Sequence, residues 1–176
     1  MTMKTLSQLP TNTLLRWQRL QVLIATAWVG SIWTIGYLVA PTLFATLPDR
    51  MLAGSVAAQL FFVEAWFSVV CAIVQLLLLI VLLRSSTALC LQTGWLATVR
   101  ASLAVGGYII LGMLTCTVLG YFVLHPFMSA LRATGLVLPD AKWKFGLLHT
   151  VSSGFYLVQS VLGVVLMLRV ASDYKV

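Results

Sequence analysis

The sequence is poor in charged residues, and acidic side chains are the scarcest of them. Charged residues make up 9% of the 176 residues, with 4 acidic against 11 basic side chains, whereas hydrophobic residues make up 61%. A soluble domain carries about 25% charged and about 45–50% apolar residues. Together with a mean hydropathy of +1.03, this composition excludes an ordinary soluble domain and predicts an integral membrane protein.

The sequence also lacks the common catalytic motifs. It has no P-loop, no dinucleotide-binding glycine pattern and no nucleophile elbow. Only one acidic residue, Glu64, falls inside a long apolar segment, so paired-carboxylate catalysis has no basis here. The basic residues form no block that predicts nucleic-acid binding, which leaves the lipid bilayer as the expected partner. The question of enzymatic activity stays open, and the sequence favours a role that is not enzymatic.

The three cysteines share no CxxC spacing, and two of them lie inside apolar segments. They are Cys71, Cys90 and Cys116. We interpret them as small buried side chains rather than as a disulfide framework or a metal site.

Four apolar segments are each long enough to cross a bilayer. They are predicted at about residues 20–38, 56–83, 101–124 and 145–168, and each reaches the ~20 residues that a ~30 Å hydrocarbon core requires. Pro41 is expected to kink or break the apolar extension of the first segment. The third is expected to end at His125-Pro126, before a loop over residues 126–144 in which Phe127–Arg132 is expected to form a short surface helix. The predicted fold class is all-α, an integral membrane antiparallel four-helix bundle.

Lysine and arginine are distributed unevenly between the two sides of this bundle. The predicted topology places 7 of them on the side of both termini and 4 on the opposite side, which accounts for all 11. Since cytoplasmic loops carry an excess of basic residues, the polar segment 1–19 and the tail 170–176 are both predicted to be cytoplasmic. Residues 20–169 between them are expected to form one transmembrane domain.

Each predicted span carries small and polar residues at a spacing that puts them on one helix face. The stripes are Thr26, Gly30, Thr34 and Tyr37 in the first span; Glu64, Ser68, Cys71 and Gln75 in the second; Ser102, Gly106, Met113, Cys116 and Gly120 in the third; and His149, Ser152, Ser153, Tyr156, Ser160 and Gly163 in the fourth. Lipid cannot satisfy polar groups, so all four stripes are predicted to face the bundle interior. Packing of helices through small residues explains most of these positions without any ligand.

Glu64 is the residue of this set that packing explains least well. It is expected about eight residues inside the second span, or ~12 Å at 1.5 Å per residue, where a charge costs at least a few kcal/mol. The carboxyl must therefore be protonated, paired or hydrated. His149, Ser152, Ser153 and Tyr156 enter from the same side in the fourth span, which makes all five residues candidates for a ligand site. A hydrogen bond that sets the helix register is the alternative explanation.

The two histidines raise the question of a metal or haem. His125 and His149 are both expected near the outer side, and imidazole is the commonest metal ligand. Met113 and Cys116 share a face of the third span, which would suit copper. Since the histidines lie on separate helices without an HxxxH or CxxC spacing, no cofactor is predicted. Haem or copper remains an alternative, with His125 and His149 as the candidate ligands.

Two groups of short motifs carry a resemblance to a known family. The first group is Trp28–Gly30, Gly36–Phe44, Leu47–Arg50, Ala53-Gly54 and Leu60-Phe61, and the second is Lys144–His149 with Ser152–Gly154. Over most of the chain these motifs resemble the bacterial membrane family called domain of unknown function 4149, whose animal relative is transmembrane protein 205. The resemblance implies a four-helix protein, located in bacteria in the inner membrane, and it implies no established reaction.

More distantly, the architecture is similar to copper-resistance D proteins and to HemJ-type protoporphyrinogen oxidases. The latter place a histidine in the first span, which the stretch Ala27–Ser31 lacks here. This difference speaks against transferring haem ligation to the chain.

The family motif also has a structural interpretation at the outer face. Pro41 and the turn at Asp49-Arg50, followed by Gly54, are predicted to bring two helices together there. Asp49 is expected to cap the second helix. An outer binding site built on Arg50 is the alternative.

Three functions remain open after the sequence is read. The first is a structural or partner-binding membrane subunit, either as a homo-oligomer or with another membrane protein. The second is binding or transport of a small molecule or lipid through Glu64 and His149. The third is a metal- or haem-dependent membrane redox protein. The sequence favours them in that order.

Overall fold

The computed structural model describes residues 11–90, 96–133 and 139–173, and every regular element in them is helical. The helices are α1 (Thr11–Trp33), α2 (Ala40–Thr46), α3 (Arg50–Cys90), α4 (Leu96–Thr117), α5 (Leu124–Ala133) and α6 (Pro139–Asp173). A first π segment, Thr34–Val39, joins α1 to α2, and a second, Val118–Val123, joins α4 to α5. Residues 1–10 of the predicted polar segment, 174–176 of the tail and the side chain of Ser102 lie outside the described residues.

Four candidate spans result, each long and apolar enough to cross a membrane by length and composition. They run from Leu15 to Thr46, Arg50 to Leu83, Leu103 to Ala133 and Pro139 to Ser172. The prediction of an all-α membrane four-helix bundle is confirmed.

Each span packs against two neighbours. The helix α1 contacts α3 and α6, and α4 contacts the same two helices, so the spans follow one another around the bundle in chain order. The centre is filled by large apolar side chains, among them Trp28, Ile32, Ile110, Met113 and Leu166, all of which are almost completely buried. Because these side chains come from the first, third and fourth spans, they hold those three helices around the polar face of the second.

The helices extend further than the sequence predicted. The third span does not end at His125-Pro126, because α5 continues the helix to Ala133, and α6 already begins at Pro139. The short helix expected at Phe127–Arg132 lies within α5, where it continues the third span, and the expected loop is wrong at 139–144. The first span likewise remains helical past Pro41 as far as Thr46.

The π segments explain why neither proline breaks its helix. Proline cannot donate to the carbonyl four residues earlier, which belongs to Tyr37 for Pro41 and to Phe122 for Pro126. Both carbonyls lie inside π segments, where the backbone bonds already span five residues, as from the Ala40 amide to the Ile35 carbonyl. Each proline therefore lacks its amide hydrogen at a place where the regular α-helical hydrogen bonds are already interrupted.

Candidate functional site

The polar stripe of the second span lies in the bundle interior. Glu64 is 4% exposed, Cys71 is 5% exposed, and Ser68 and Gln75 are fully buried. This part of the sequence prediction is confirmed, since all four side chains lie on the face that packs against the other spans.

Ser68 organises the centre of this face. Its hydroxyl donates to Oε1 of Glu64 at 2.6 Å, and it accepts from Nε1 of Trp28 at 2.8 Å and from Nε2 of Gln159 at 3.5 Å. A hydroxyl has one donor and two acceptor sites, so Ser68 uses all of them. We call Trp28, Glu64, Ser68 and Gln159 the central polar cluster; it joins the first, second and fourth spans.

Glu64 lies further from the start of its helix than predicted. The helix α3 begins at Arg50, which puts Glu64 about 14 residues and ~21 Å from the first residue of the helix. Its partner there is a hydroxyl one turn along its own helix. The carboxyl is therefore hydrogen-bonded inside the bundle by its own helix, and not by the fourth span as the sequence suggested.

His149 does not join this cluster. Its side chain is exposed and stacks on Phe145 of the same helix, with ring centroids 6.1 Å apart. Within the described part of the chain, no contact links His149 to Glu64. The two residues chosen together from the sequence thus lie in different environments, one on the surface and one in the core.

Tyr156 inserts its hydroxyl into the backbone of the first span. The hydroxyl donates to the carbonyl of Ile32 at 2.6 Å. In an α-helix this carbonyl would instead pair with the amide of Gly36. The first π segment begins in the same turn, so the inserted hydroxyl is the physical cause of the altered ladder.

Gly36 allows the tyrosine ring to approach this closely. A Cβ atom at this position would overlap Cε1 of Tyr156, well inside van der Waals contact. The ring also contacts Phe61 edge-on, with centroids 5.5 Å apart. The first and second spans therefore cover the hydroxyl and the ring of Tyr156, so neither is open to a ligand on these two sides.

Ser152 acts on the third span in a corresponding way. Its hydroxyl donates to the carbonyl of Gly120 at 3.2 Å, inside the second π segment. That carbonyl is released from the α ladder because the Leu124 amide bonds to Leu119 instead. Ser153, on the same turn of α6, is exposed, so the three hydroxyl residues of this turn have separate roles.

The stripe of the first span lies on the surface, which contradicts the prediction. Thr26, Gly30 and Thr34 are exposed, and Tyr37 is half exposed. The buried face of this span is instead formed by Gln21, Ala25, Trp28, Val29 and Ile32. Trp28 and Ile32 fill the core volume, so the small residues of the same span lie on the opposite side.

A shallow groove of about 320 Å³ borders this stripe. It lies between the first and fourth spans and is lined by Thr26, Val29, Gly30, Trp33, Val164, Met167 and Leu168. The hydroxyl of Thr26 bonds to the Val22 carbonyl at 2.8 Å, so the groove presents a nearly apolar surface.

The remaining stripes are partly interior. Met113 and Cys116 of the third span are buried, as are Ser160 and Gly163 of the fourth. The hydroxyl of Tyr37 donates to Ser160 at 3.0 Å, which ties the outer part of the first span to α6.

Each of the two histidines stacks on the aromatic ring that lies four residues before it in the same span. His125 lies 4.6 Å from the ring of Tyr121, and His149 stacks on Phe145. Within residues 11–90, 96–133 and 139–173, no three side chains of His, Cys, Asp or Glu converge as metal ligands would. Cys71 and Cys116 are buried free thiols.

The outer-face motif brings α2, which contains Pro41, into contact with α3 as predicted. Asp49 accepts the amide of Met51 at 2.8 Å and caps α3 as expected, while Arg50 is exposed. The carbonyl of Gly54 accepts from Arg132 of α5 at 3.3 Å. The Arg132 guanidinium also lies over the ring of Phe145, 5.4 Å from its centroid. At Gly54 the motif also contacts the third span through Arg132.

Sequence reasoning missed Trp28 and Gln159 in the central cluster. An indole N–H in the middle of a span needs a buried hydrogen-bond partner, and this requirement predicts a polar partner for Trp28. A further buried contact joins Nε2 of Gln75 to the carbonyl of Gln21 at 2.9 Å. Oε1 of Gln75 is buried without a hydrogen-bond partner.

Comparison with known proteins identifies a family. Residues 23–136, well over half of the chain, match the family model described as Domain of unknown function (DUF4149). The chain belongs to this family. The DUF4149 match begins within the first span, covers the second and third spans, and ends before Lys144–Gly154, the second half of the motif noted in the sequence. No curated protein and no solved structure matches the chain, and the family description states no activity.

Proposed function

We propose that this DUF4149 protein is a partner-binding subunit of the bacterial inner membrane, which assembles through the exposed side of its first span. The observation that carries the proposal is the surface position of Thr26, Gly30 and Thr34, which we call the exposed stripe. Small residues four apart let helices approach closely within a membrane, and interfaces between membrane helices are enriched in them.

The geometry at Gly30 supports this assignment. A Cβ atom placed there would meet nothing within 4 Å, so the glycine serves no contact inside the described chain. Its lack of a side chain instead leaves a notch beside Trp33 and the apolar groove of the fourth span. A helix from a second protein would fill that notch with its own side chains and bury the stripe.

The hydrogen bonds among the described interior side chains argue against the second function that the sequence left open. The hydroxyls of Ser68, Ser152 and Tyr156 all bond to groups within the bundle. His149 lies on the surface, away from the central polar cluster. A small-molecule site built jointly from Glu64 and His149 would require these contacts to open.

The groove between the first and fourth spans favours a lipid acyl chain as a second candidate occupant. Its lining is almost wholly apolar and lies within two membrane-spanning segments. A lipid and a partner helix would compete for this surface, so a native mass measurement separates them: a lipid adds the mass of a phospholipid, and a partner adds the mass of a protein.

The orientation belongs to the same proposal. The 7 basic residues on the side of both termini exceed the 4 on the other side, which favours cytoplasmic termini. The outer ends of the spans, with Asp49 and Arg132, would then face the periplasm.

The test compares two glycines that have the same open surroundings. Neither Gly30 nor Gly154 has an atom within 4 Å of its would-be Cβ, and both are exposed. Gly30→Leu and Gly154→Leu are purified in mild detergent alongside the wild type, and their native masses are measured. We expect the wild type and Gly154→Leu to carry a second protein chain and Gly30→Leu to lose it.

Helical circular dichroism of all three proteins serves as the folding control. A wild type that carries no protein partner, or a Gly30→Leu variant that keeps it, would contradict the proposal.

A further inference from the structure

The outer end of the bundle carries more basic than acidic side chains. Its basic residues are Arg50, Arg132, Lys142 and Lys144. Its acidic residues are Asp49 and Asp140, and Asp49 is engaged as the cap of α3. All of these positions lie close to the ends of the second, third and fourth spans, at the level of the lipid headgroups. A surplus of positive charge at this level attracts anions.

Arg132 is positioned by two uncharged partners. Its guanidinium donates to the carbonyl of Gly54 at 3.3 Å and lies over the ring of Phe145, 5.4 Å from the centroid. Since neither partner carries a charge, the cation is held in place without being neutralised. A guanidinium presents several N–H groups in a fixed fork, and the Gly54 carbonyl uses one nitrogen of it, which leaves donors for an oxyanion.

Two further cations lie one turn from the residues that Arg132 contacts. Arg50 precedes Gly54 by four residues on α3, and Lys142 precedes Phe145 by three residues on α6, so each shares a helix face with that neighbour. Both lie nearer the outer end than Arg132's partners, and both are exposed. We call Arg50, Arg132 and Lys142 the outer basic cluster; it joins the second, third and fourth spans.

The same three spans expose apolar side chains further into the bilayer. Val56 on α3, Phe127 on α5 and Leu147 on α6 are all exposed, and each lies at least one turn deeper than the cluster residue of its own span. A ligand that joins a phosphate to acyl chains would contact both the basic and the apolar level. A soluble phosphate would use the basic level alone.

We propose that the outer basic cluster binds the phosphate group of an anionic phospholipid. The Arg132 fork binds two phosphate oxygens side by side, as guanidinium groups do, and Arg50 and Lys142 add positive charge from the neighbouring helices. The site lies apart from the exposed stripe and the groove of the first and fourth spans, so it does not depend on the partner-binding function.

The test titrates the full-length chain in mild detergent with phosphatidylglycerol, or with phosphatidylcholine of the same acyl chains, and measures the bound lipid by native mass spectrometry. Both lipids contain a phosphate, but only phosphatidylglycerol carries a net negative charge, because choline is a cation that the cluster repels. We therefore expect phosphatidylglycerol to bind more tightly to the wild type.

The variants separate a defined site from a general attraction of lipid. Arg132→Gln should weaken phosphatidylglycerol binding about tenfold, since it removes a charge-assisted bidentate contact, and Lys142→Gln should weaken it about fivefold. Lys144 is the matched control, because it is equally exposed but lies one residue before Phe145, on another side of α6. Lys144→Gln should change the affinity less than about twofold. Equal weakening by Lys142→Gln and Lys144→Gln, or equal affinity for the two lipids, would overturn the proposal.

Circular dichroism of each variant is the folding control. Arg132 contacts two other spans, so the comparison of Lys142→Gln with Lys144→Gln decides the matter if Arg132→Gln does not fold. Glycerol phosphate, added at constant ionic strength, distinguishes the two sources of phosphate. We expect it to displace phosphatidylglycerol only at far higher concentration than the lipid itself requires. Displacement at a similar concentration would assign the site to a soluble phosphate and overturn the lipid proposal.

Discussion

The first and second spans carry similar stripes of small and polar residues, and the structure places them on opposite sides. In the second span, Glu64 and Ser68 lie in the core, where they bond to each other at 2.6 Å. In the first span, Gly30 and Thr34 lie on the surface. Helical spacing therefore shows that residues share a face, and the volume of the other side chains decides which face is inside.

The largest effect expected from this comparison concerns the two tryptophans of the first span. Trp28 is fully buried and donates to Ser68, whereas Trp33 is 48% exposed. Trp28→Ala removes a large core side chain and should lower the free energy of unfolding by about 3–5 kcal/mol. Trp33→Ala should change it far less. Unfolding of the detergent-solubilised protein, followed by circular dichroism, measures both; equal losses would contradict the assignment of the buried face.

A smaller effect is expected when the hydroxyl at the centre of the buried stripe is removed. Ser68→Ala leaves the Trp28 indole N–H and the Glu64 carboxyl without their shared partner. Loss of a buried partner costs about 1–3 kcal/mol, and the exposed Ser153→Ala should cost less than about 0.5 kcal/mol. The same unfolding measurement compares them. If Ser68→Ala were as stable as Ser153→Ala, the central polar cluster would not stabilise the bundle.

The fold was largely predictable because it depends on long-range composition. Four apolar segments of sufficient length allow few architectures in a bilayer, and the buried stripe of the second span follows from helical spacing. The positions of Glu64 and Ser68 were therefore recognised from the sequence alone.

The errors have identifiable causes. The sequence predicts a helix end at Pro126, because proline cannot donate to the carbonyl of Phe122, but the π segment there already interrupts the ladder. That segment is stabilised by Ser152 of another helix, a tertiary contact that no local pattern of the third span reveals. The small residues of the first span predict the wrong inner face, because Trp28 and Ile32 fill the core with far larger side chains.

The candidate site was only partly predictable for the same reason. Tyr156 and Ser152 were selected as ligand-binding residues from their polarity, whereas the structure shows both hydroxyls bonded to backbone carbonyls of other spans. His149 shared their helical face in projection, yet it lies further towards the outer end and is exposed. A face defined by spacing does not state which part of it is covered by neighbours.

The central claim is that the exposed stripe is covered by protein rather than lipid, and photo-crosslinking tests it most directly. A photo-reactive amino acid is placed at Thr34 or, as the control, at Val158, which is 50% exposed on the fourth span, and native membranes are irradiated. We expect Thr34 to form an adduct with a protein chain and Val158 to react with lipid. Reaction of Thr34 with lipid alone, as at Val158, would contradict the account.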